Sequence, residues 1–412
     1  MPFKFFRKER REGRTETIEA PVAESLRPTH DVVVIGGGSA ALAVAYHLAR
    51  EHGTSDVAVL APGPLTAAVT ARDGAVARAD AAAPEVAALQ ADALKRHAAL
   101  AQEHDIDAGF ARRGLIALAH DEAQVRALRW RAELNRHHGG RAEVVEPAAA
   151  VRLCRGLTPE GPEGYPLRAA LSHPEAALLD PDALLRGYAR RAAALGVALH
   201  PRVTVRRLEV QDGKVTRVAT DRGDIFAGQV VIATAHGAAP LARLAGQDLP
   251  LSPRRLAGAV SQPLKRFLDP VVLAEGRDLA LWQSPRGELV IGAGVDPAPR
   301  QGAEAGLSAL TTPLARMAAL FPILADIRLS RHWSQTVETS PDGAPILGRG
   351  GLPNLFLAVG LGDAEAALAP SLGSALAEAV AGTAAPPLIA PFAADRFARF
   401  APLTGIAPAV GF

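Results

Sequence analysis

Three apolar runs of strand length stand out in the pattern of hydrophobic and polar positions along this chain. They are Asp31-Val32-Val33-Val34-Ile35, Asp56-Val57-Ala58-Val59-Leu60 and Gly228-Gln229-Val230-Val231-Ile232-Ala233. β-branched runs without polar alternation read as strands buried on both faces. After the first run, Leu42 to Arg50 has the apolar spacing of a helix packed on such a strand. Further along, the pattern predicts a long Ala/Leu helix over 84–104, a strand over 114–119, and a charged helix over 121–137 that Gly139-Gly140 ends. A helix over 181–194 leads through Leu195-Gly196 into a strand at 197–199, then Val203-Thr204-Val205, the turn 211–214 and a strand at 215–218. This is an αβ unit followed by a hairpin. Short apolar segments between 255 and 335, with a helix over 304–321, predict an antiparallel sheet and helix inserted into the first body. Residues 352–382 add a last strand and helix, 383–412 read as a Pro/Ala-rich tail, and no internal repeat is visible.

The first strand runs into Gly36-Gly37-Gly38-Ser39-Ala40-Ala41. Strand, glycine turn and helix in that order form a dinucleotide-binding unit. Gly36 permits the tight turn, Gly38 lets backbone approach a pyrophosphate at the helix N-terminus, and Ala41 takes the third glycine's place at the helix–strand contact. The second strand should end in an acid that holds the adenosine ribose, about 20 residues beyond the turn. It ends in Ala61, and Pro62-Gly63-Pro64 offers no substitute. Losing one charge-assisted contact costs roughly 1.5–3 kcal/mol, which weakens a tight site without abolishing it.

A chain of 412 residues with 49% hydrophobic content calls for two interleaved domains. Abundant alanine with 4% aromatics fits GC-rich bacterial coding. The formal net charge of +2 gives no case for nucleic-acid binding. The single cysteine, Cys154, excludes an internal disulfide and Cys-rich metal sites, fits a cytoplasmic setting, and reads as a packed helix residue. No apolar stretch approaches a membrane span, and the N-terminus lacks the apolar core of a signal peptide. Lys4, Arg7, Lys8, Arg10, Arg11 and Arg14 outweigh Glu9 and Glu12 behind Phe3, Phe5 and Phe6. That arm is either a solvated leader or an anchor for a partner protein or an anionic membrane surface.

Over about 30–400 the chain resembles the FAD-dependent amine and amino-acid oxidoreductases (the DAO family), most closely the sarcosine oxidase β-subunit type. The carriers are the 31–38 turn, His52-Gly53 to Val57–Leu60, Arg113-Gly114-Leu115 to Leu118-Ala119-His120, Gly292-Ala293-Gly294-Val295-Asp296, Leu320-Phe321-Pro322-Ile323, Trp333, and 339–348 followed by Asn354-Leu355-Phe356. The resemblance implies an α/β fold, a Rossmann-like FAD-binding domain with an inserted α+β substrate-type domain built on an antiparallel sheet. The expected domains are an N-terminal arm over 1–30, the FAD-binding type over 31–110, 145–250 and 336–385, the substrate type over 111–144 and 251–335, and a C-terminal tail over 386–412. The family's polar, glycine-rich stretch after the second strand is largely alanine here, but two arginines remain, Arg72 and Arg78. They are either phosphate contacts or partners of carboxylates.

The family's late small-residue turn is here Ala233-Thr234-Ala235-His236-Gly237. His236 is expected to fill an emptied cleft or lie at its rim. Asp363 and Glu365 stand where the family has glycines, at the helix N-terminus that faces the flavin. Two carboxylates in a first helical turn are also ordinary capping choices. The family's flavin-linking histidine aligns near Asp180 to Ala183, so His173 does not take that role. The candidate cofactor contacts are therefore Gly36, Gly38, Ser39, Arg72 and Arg78, as weak or vestigial ones. FAD is expected to bind weakly or not at all, and no catalytic or metal-ligating residue is expected. These departures predict a pseudo-enzyme, an accessory subunit of a multi-subunit redox complex, with a membrane-bound respiratory complex as one setting and the inner membrane face as its place. The alternative is an active FAD-dependent oxidoreductase of a secondary amine or amino acid.

Overall fold

The computed structural model describes residues 23, 25–65, 75–160, 166–274, 279–293, 304–382 and 384–403. The basic, aromatic segment 1–14 and Arg72 lie outside the described residues. The first strand, Thr29–Ile35, pairs in parallel with Val57–Ala61 on one side and Gly223–Ile232 on the other. Val57–Ala61 is flanked in turn by Ala198–Pro201. Gly223–Ile232 also receives the hairpin strand Lys214–Thr220 at its start and Leu355–Val359 at its end, and Val205–Gln211 beyond the first and Ile346–Arg349 beyond the second complete an eight-stranded sheet.

The alternation of side chains explains why the first strand is apolar from Val32 to Ile35. Val32 and Val34 join a core with the first helix, Ser39–Glu51, and the C-terminal helix, Glu365–Ala381. Val33 and Ile35 join the core on the opposite face, with Ala58, Leu60, Val230 and the helix Ala238–Leu244. Both faces are covered, so neither tolerates a polar position.

A second eight-stranded sheet carries Leu329–Thr339, Ser252–Ser261, Leu289–Ala293, Leu279–Gln283 and Val271–Ala274 in that order, then Leu115–Ala119, Ala169–His173 and Glu143–Val145. Its pairings are antiparallel except where Val271–Ala274 runs parallel to Leu115–Ala119. A small sheet of Ala75–Ala77, Ala177–Leu179 and Ala111–Arg112 lies between the two large ones in the chain path. The α/β class with an inserted sheet is thus as expected, with two differences. Strand Ala169–His173 lies in the second sheet, so the stretch 145–250 contributes to both bodies. The segment beginning at residue 386 is not a tail over its described part, because Ile389, Phe392 and Arg396 are buried.

The reason is an ion pair. Arg396 donates from Nε to Asp342 Oδ2 and from Nη2 to Asp342 Oδ1, both at 2.9 Å, with side chains 1% and 4% exposed. Arg396 also reaches the carbonyls of Phe392 and Ala344. Although burial opposes ionisation, the Arg396 bonds, the Leu403 amide and Ser340 bring the Asp342 carboxyl down to about 2. A carboxyl lowered in the folded state contributes stability above its unfolded range and loses it as pH falls through about 2. Arg396→Ala leaves a buried carboxylate unpaired, and we expect a loss of about 3–5 kcal/mol in urea unfolding at neutral pH. A loss under about 1 kcal/mol would show that residues beyond 385 do not belong to the cooperative core.

Candidate functional site: the glycine turn and its carboxylates

The turn after the first strand is shaped by close backbone approach. Gly36 has φ +147°, and a Cβ there would run into the Ala233 carbonyl. The Ala233 amide closes the turn on Ile35 O at 2.9 Å. Gly38 is the N-cap of the first helix, and this helix has neither a side-chain cap nor an acid in its first turn. Ser39, Ala40 and Ala41 are nevertheless buried. Their N–H groups would be orphaned at the positive end of a helix dipole, a costly arrangement.

Glu365 meets them from the far end of the chain. The Ala40 amide donates to Glu365 Oε1 at 3.1 Å, and the Ser39 hydroxyl donates to the same oxygen at 3.4 Å. Glu365 is 2% exposed, and a Cβ on Gly38 would clash with its carboxylate. The first and last helices come close because Gly373 lies against Ala43, where a Cβ on Gly373 would sit 2.5 Å from the Ala43 Cβ. Glu365 lies eight residues before Gly373, about 12 Å up the helix. That places its carboxylate at the first helix's N-terminus. Glu365 is thus more than an ordinary dipole match on its own helix, since its carboxylate caps a different one.

The rest of the site departs from a dinucleotide pocket in the same direction. Ala61 ends the second strand 2% exposed, packed on Gly37, with no carboxylate for a ribose. Arg78 is 14% exposed at its side chain and donates from Nε and Nη2 to Asp80 at 2.5 and 3.0 Å. Asp80 is fully buried and also held by Arg131; these two guanidiniums keep its carboxyl far below the usual range against the cost of burial. His173 accepts from the Ala79 amide at 3.0 Å and faces Glu175, so it is part of this scaffold. Asp180 caps the helix Pro181–Ala194 through the Ala183 amide. His236 is exposed, while Glu338 accepts from the Ala238 amide at 2.8 Å, at the start of the next helix.

Beside the C-terminal helix, Val76, Arg78, Gln90, Asp363, Ala364, Ala367 and Leu368 line a cavity of about 30 Å³, room for about two waters. Asp363 Oδ2 is buried there without a hydrogen-bond partner. Burial pushes its carboxyl up to about 6, against the pull of its own backbone amide, Arg254 and Arg78. In this arrangement the Ala40 amide of the turn is taken by Glu365. Of the residues singled out in the sequence, Gly36, Gly38, Ser39 and Glu365 lie at this turn, Arg78 and Asp363 line the small cavity beside the last helix, and Arg72 lies outside the described residues, while Glu338 and Asp80 were not singled out. Asp80 alone had a local signal, two residues after Arg78.

Parallel strands, a glycine turn into a helix and an inserted sheet define the two-domain architecture of a dinucleotide-dependent oxidoreductase. The chain belongs to the family of FAD dependent oxidoreductases (DAO), whose model matches residues 31–379. It is 33% identical to the sarcosine oxidase subunit beta of Arthrobacter sp over 371 residues, 90% of this chain and 92% of that protein. It is 30% identical to the subunit of the same name from Rhodobacter capsulatus, over 89% and 88% of the two chains. In fold it superposes on L-proline dehydrogenase from P. horikoshii with a TM-score of 0.81 and 22% identity, covering 91% of this chain and 99% of that one. Glycine oxidase from Geobacillus kaustophilus gives a TM-score of 0.78 and 24% identity, covering 90% and 99%.

The Asp363 carboxyl makes a testable statement about this site. A folded-state value raised to about 6 means the native chain holds a proton that the unfolded chain releases, so stability falls as pH rises through that window. Asp363→Asn removes the charge. It should stabilise the protein at pH about 7.5 by of order 1 kcal/mol and change nothing at pH about 4, as read from paired denaturation curves. Destabilisation at the higher pH would mean that Asp363 is paired there.

Proposed function

We propose that this chain is a non-catalytic accessory subunit of a larger redox complex, a DAO-family body whose nucleotide cradle is filled by its own Glu365 carboxylate. The observation that carries the reading is the Ala40 amide donating to Glu365 Oε1 in a buried turn. Ala61 and Asp363 support it, since one withholds the ribose contact and the other sets an acid beside the place where the family holds an electron-rich ring. Relatives that are 30–33% identical over about nine-tenths of the chain are themselves named as subunits. Among the described residues no helix is long and apolar enough to cross a membrane. The basic, aromatic segment 1–14 is the proposed attachment, on the inner membrane face or on a partner subunit.

The second reading, an active FAD-dependent oxidoreductase of a secondary amine or amino acid, is favoured by the 33% identity that runs through both bodies. In that reading Glu365 must leave the turn before a cofactor enters. An absorption spectrum and intact-mass analysis of the native, co-purified protein separate the two. The accessory reading expects well under one FAD per chain together with co-purifying subunits. Stoichiometric FAD that survives gel filtration would reject it.

Ala61→Glu alone should leave the protein colourless, because a carboxylate at the ribose end does not empty the turn; a yellow Ala61→Glu protein would show that the ribose contact was the whole defect. Deleting residues 2–14 should leave the melting temperature unchanged and release the chain from its complex, whereas undiminished co-purification would assign docking to the folded surface.

A further inference from the structure

Glu365 stands in a relation to the glycine turn that ordinary capping does not explain. Glu365 is 2% exposed and takes the Ala40 amide and the Ser39 hydroxyl on one carboxyl oxygen, at 3.1 and 3.4 Å. Gly38 is held bare of a Cβ by that same oxygen. The first helix supplies no cap of its own. A bare helix N-terminus, a glycine that admits a close anion and a donor pair from consecutive residues together make up a diphosphate cradle.

We propose that Glu365 is the resident ligand of this cradle, an intramolecular surrogate for a diphosphate, and that removing its carboxylate converts the turn into a binding site for free diphosphate. The inference rests on the reading that the wild-type turn holds no dinucleotide. Its ligand class is the diphosphate group alone, since Ala61 offers an attached ribose no carboxylate.

The test uses the full-length protein and inorganic pyrophosphate. The Ala40 amide of the wild type, free of added nucleotide, should be strongly protected in hydrogen exchange, and an unprotected Ala40 amide overturns the proposal without any variant. Glu365→Ala should melt below wild type and regain about 2 °C or more in about 10 mM pyrophosphate. Wild type and Glu365→Gln, whose cradles stay filled, should shift by less than half as much. No recovery in a folded Glu365→Ala protein, or equal shifts in all three proteins, overturns the proposal. A colourless wild type without recovery in Glu365→Ala rejects the surrogate and leaves the accessory reading intact. A wild type that retains stoichiometric flavin rejects the accessory reading itself.

Discussion

The buried N-terminus of the first helix is the constraint on which the rest of this structure turns. A parallel sheet covered on both faces delivers its first strand to the protein interior and must turn it there into a helix. The amides of Ser39, Ala40 and Ala41 therefore point into a region sealed from water, at the positive end of the helix dipole. An anion there gains up to about 2 kcal/mol from the dipole, and each charge-assisted hydrogen bond is worth about 1.5–3 kcal/mol. Leaving those amides empty costs a comparable amount in buried, unmet donors. Gly36, Gly38, Gly373 and Glu365 all serve that one requirement. The first two clear the turn, the third lets the last helix approach Ala43, and the fourth supplies the acceptor oxygen.

The other acidic groups follow the same electrostatic logic around the interface between the bodies. Glu338 meets the Ala238 amide as Glu365 meets that of Ala40. Asp80 takes two guanidiniums, Arg78 and Arg131, so Arg78 is committed to a buried ion pair. Asp363 remains without a hydrogen-bond donor at Oδ2 and keeps its proton up to about 6. A family member in which this interface holds an anionic cofactor has reason to place donors and cations here. This chain places carboxylates there, and Arg78 is directed to one of them.

Much of the fold was legible because its signals are local. The helix Pro84–His104 begins at a proline, Glu122–His137 is capped by Asp121 through the Gln124 amide and followed by Gly139 at φ +85°, and Pro181–Ala194 is capped by Asp180. Cys154, read as a packed residue, is buried, and burial pushes its thiol up to about 12. Strands such as Glu143–Val145 and Ala169–His173 were not legible, because three to five residues carry no period and their register is set by a distant partner. The 386–403 stretch looked like a tail because Arg396 draws its meaning from Asp342, a loop residue far back in the chain. Glu365 was legible as an anomaly in its own helix. Its task was not, since the donors it meets lie 325 positions away.

Ala61 and Glu365 oppose a dinucleotide by different physics, and the difference decides which matters more. Ala61 withholds one favourable contact, a loss of about 1.5–3 kcal/mol that a tight site survives. Glu365 is a competitor tethered to the site. An intramolecular group presents itself at an effective concentration of millimolar or above, whereas a soluble cofactor is present at roughly micromolar levels, and that ratio of about a thousand is worth about 4 kcal/mol. Packing adds to the advantage, because Gly373 against Ala43 holds the C-terminal helix in the position that aims the carboxylate. Displacing it means breaking buried charge-assisted bonds and finding a new partner for the carboxylate before any bond to a diphosphate forms. The same side chain gives the fold what a bound cofactor would give it, an anion at the one helix end that cannot stand empty.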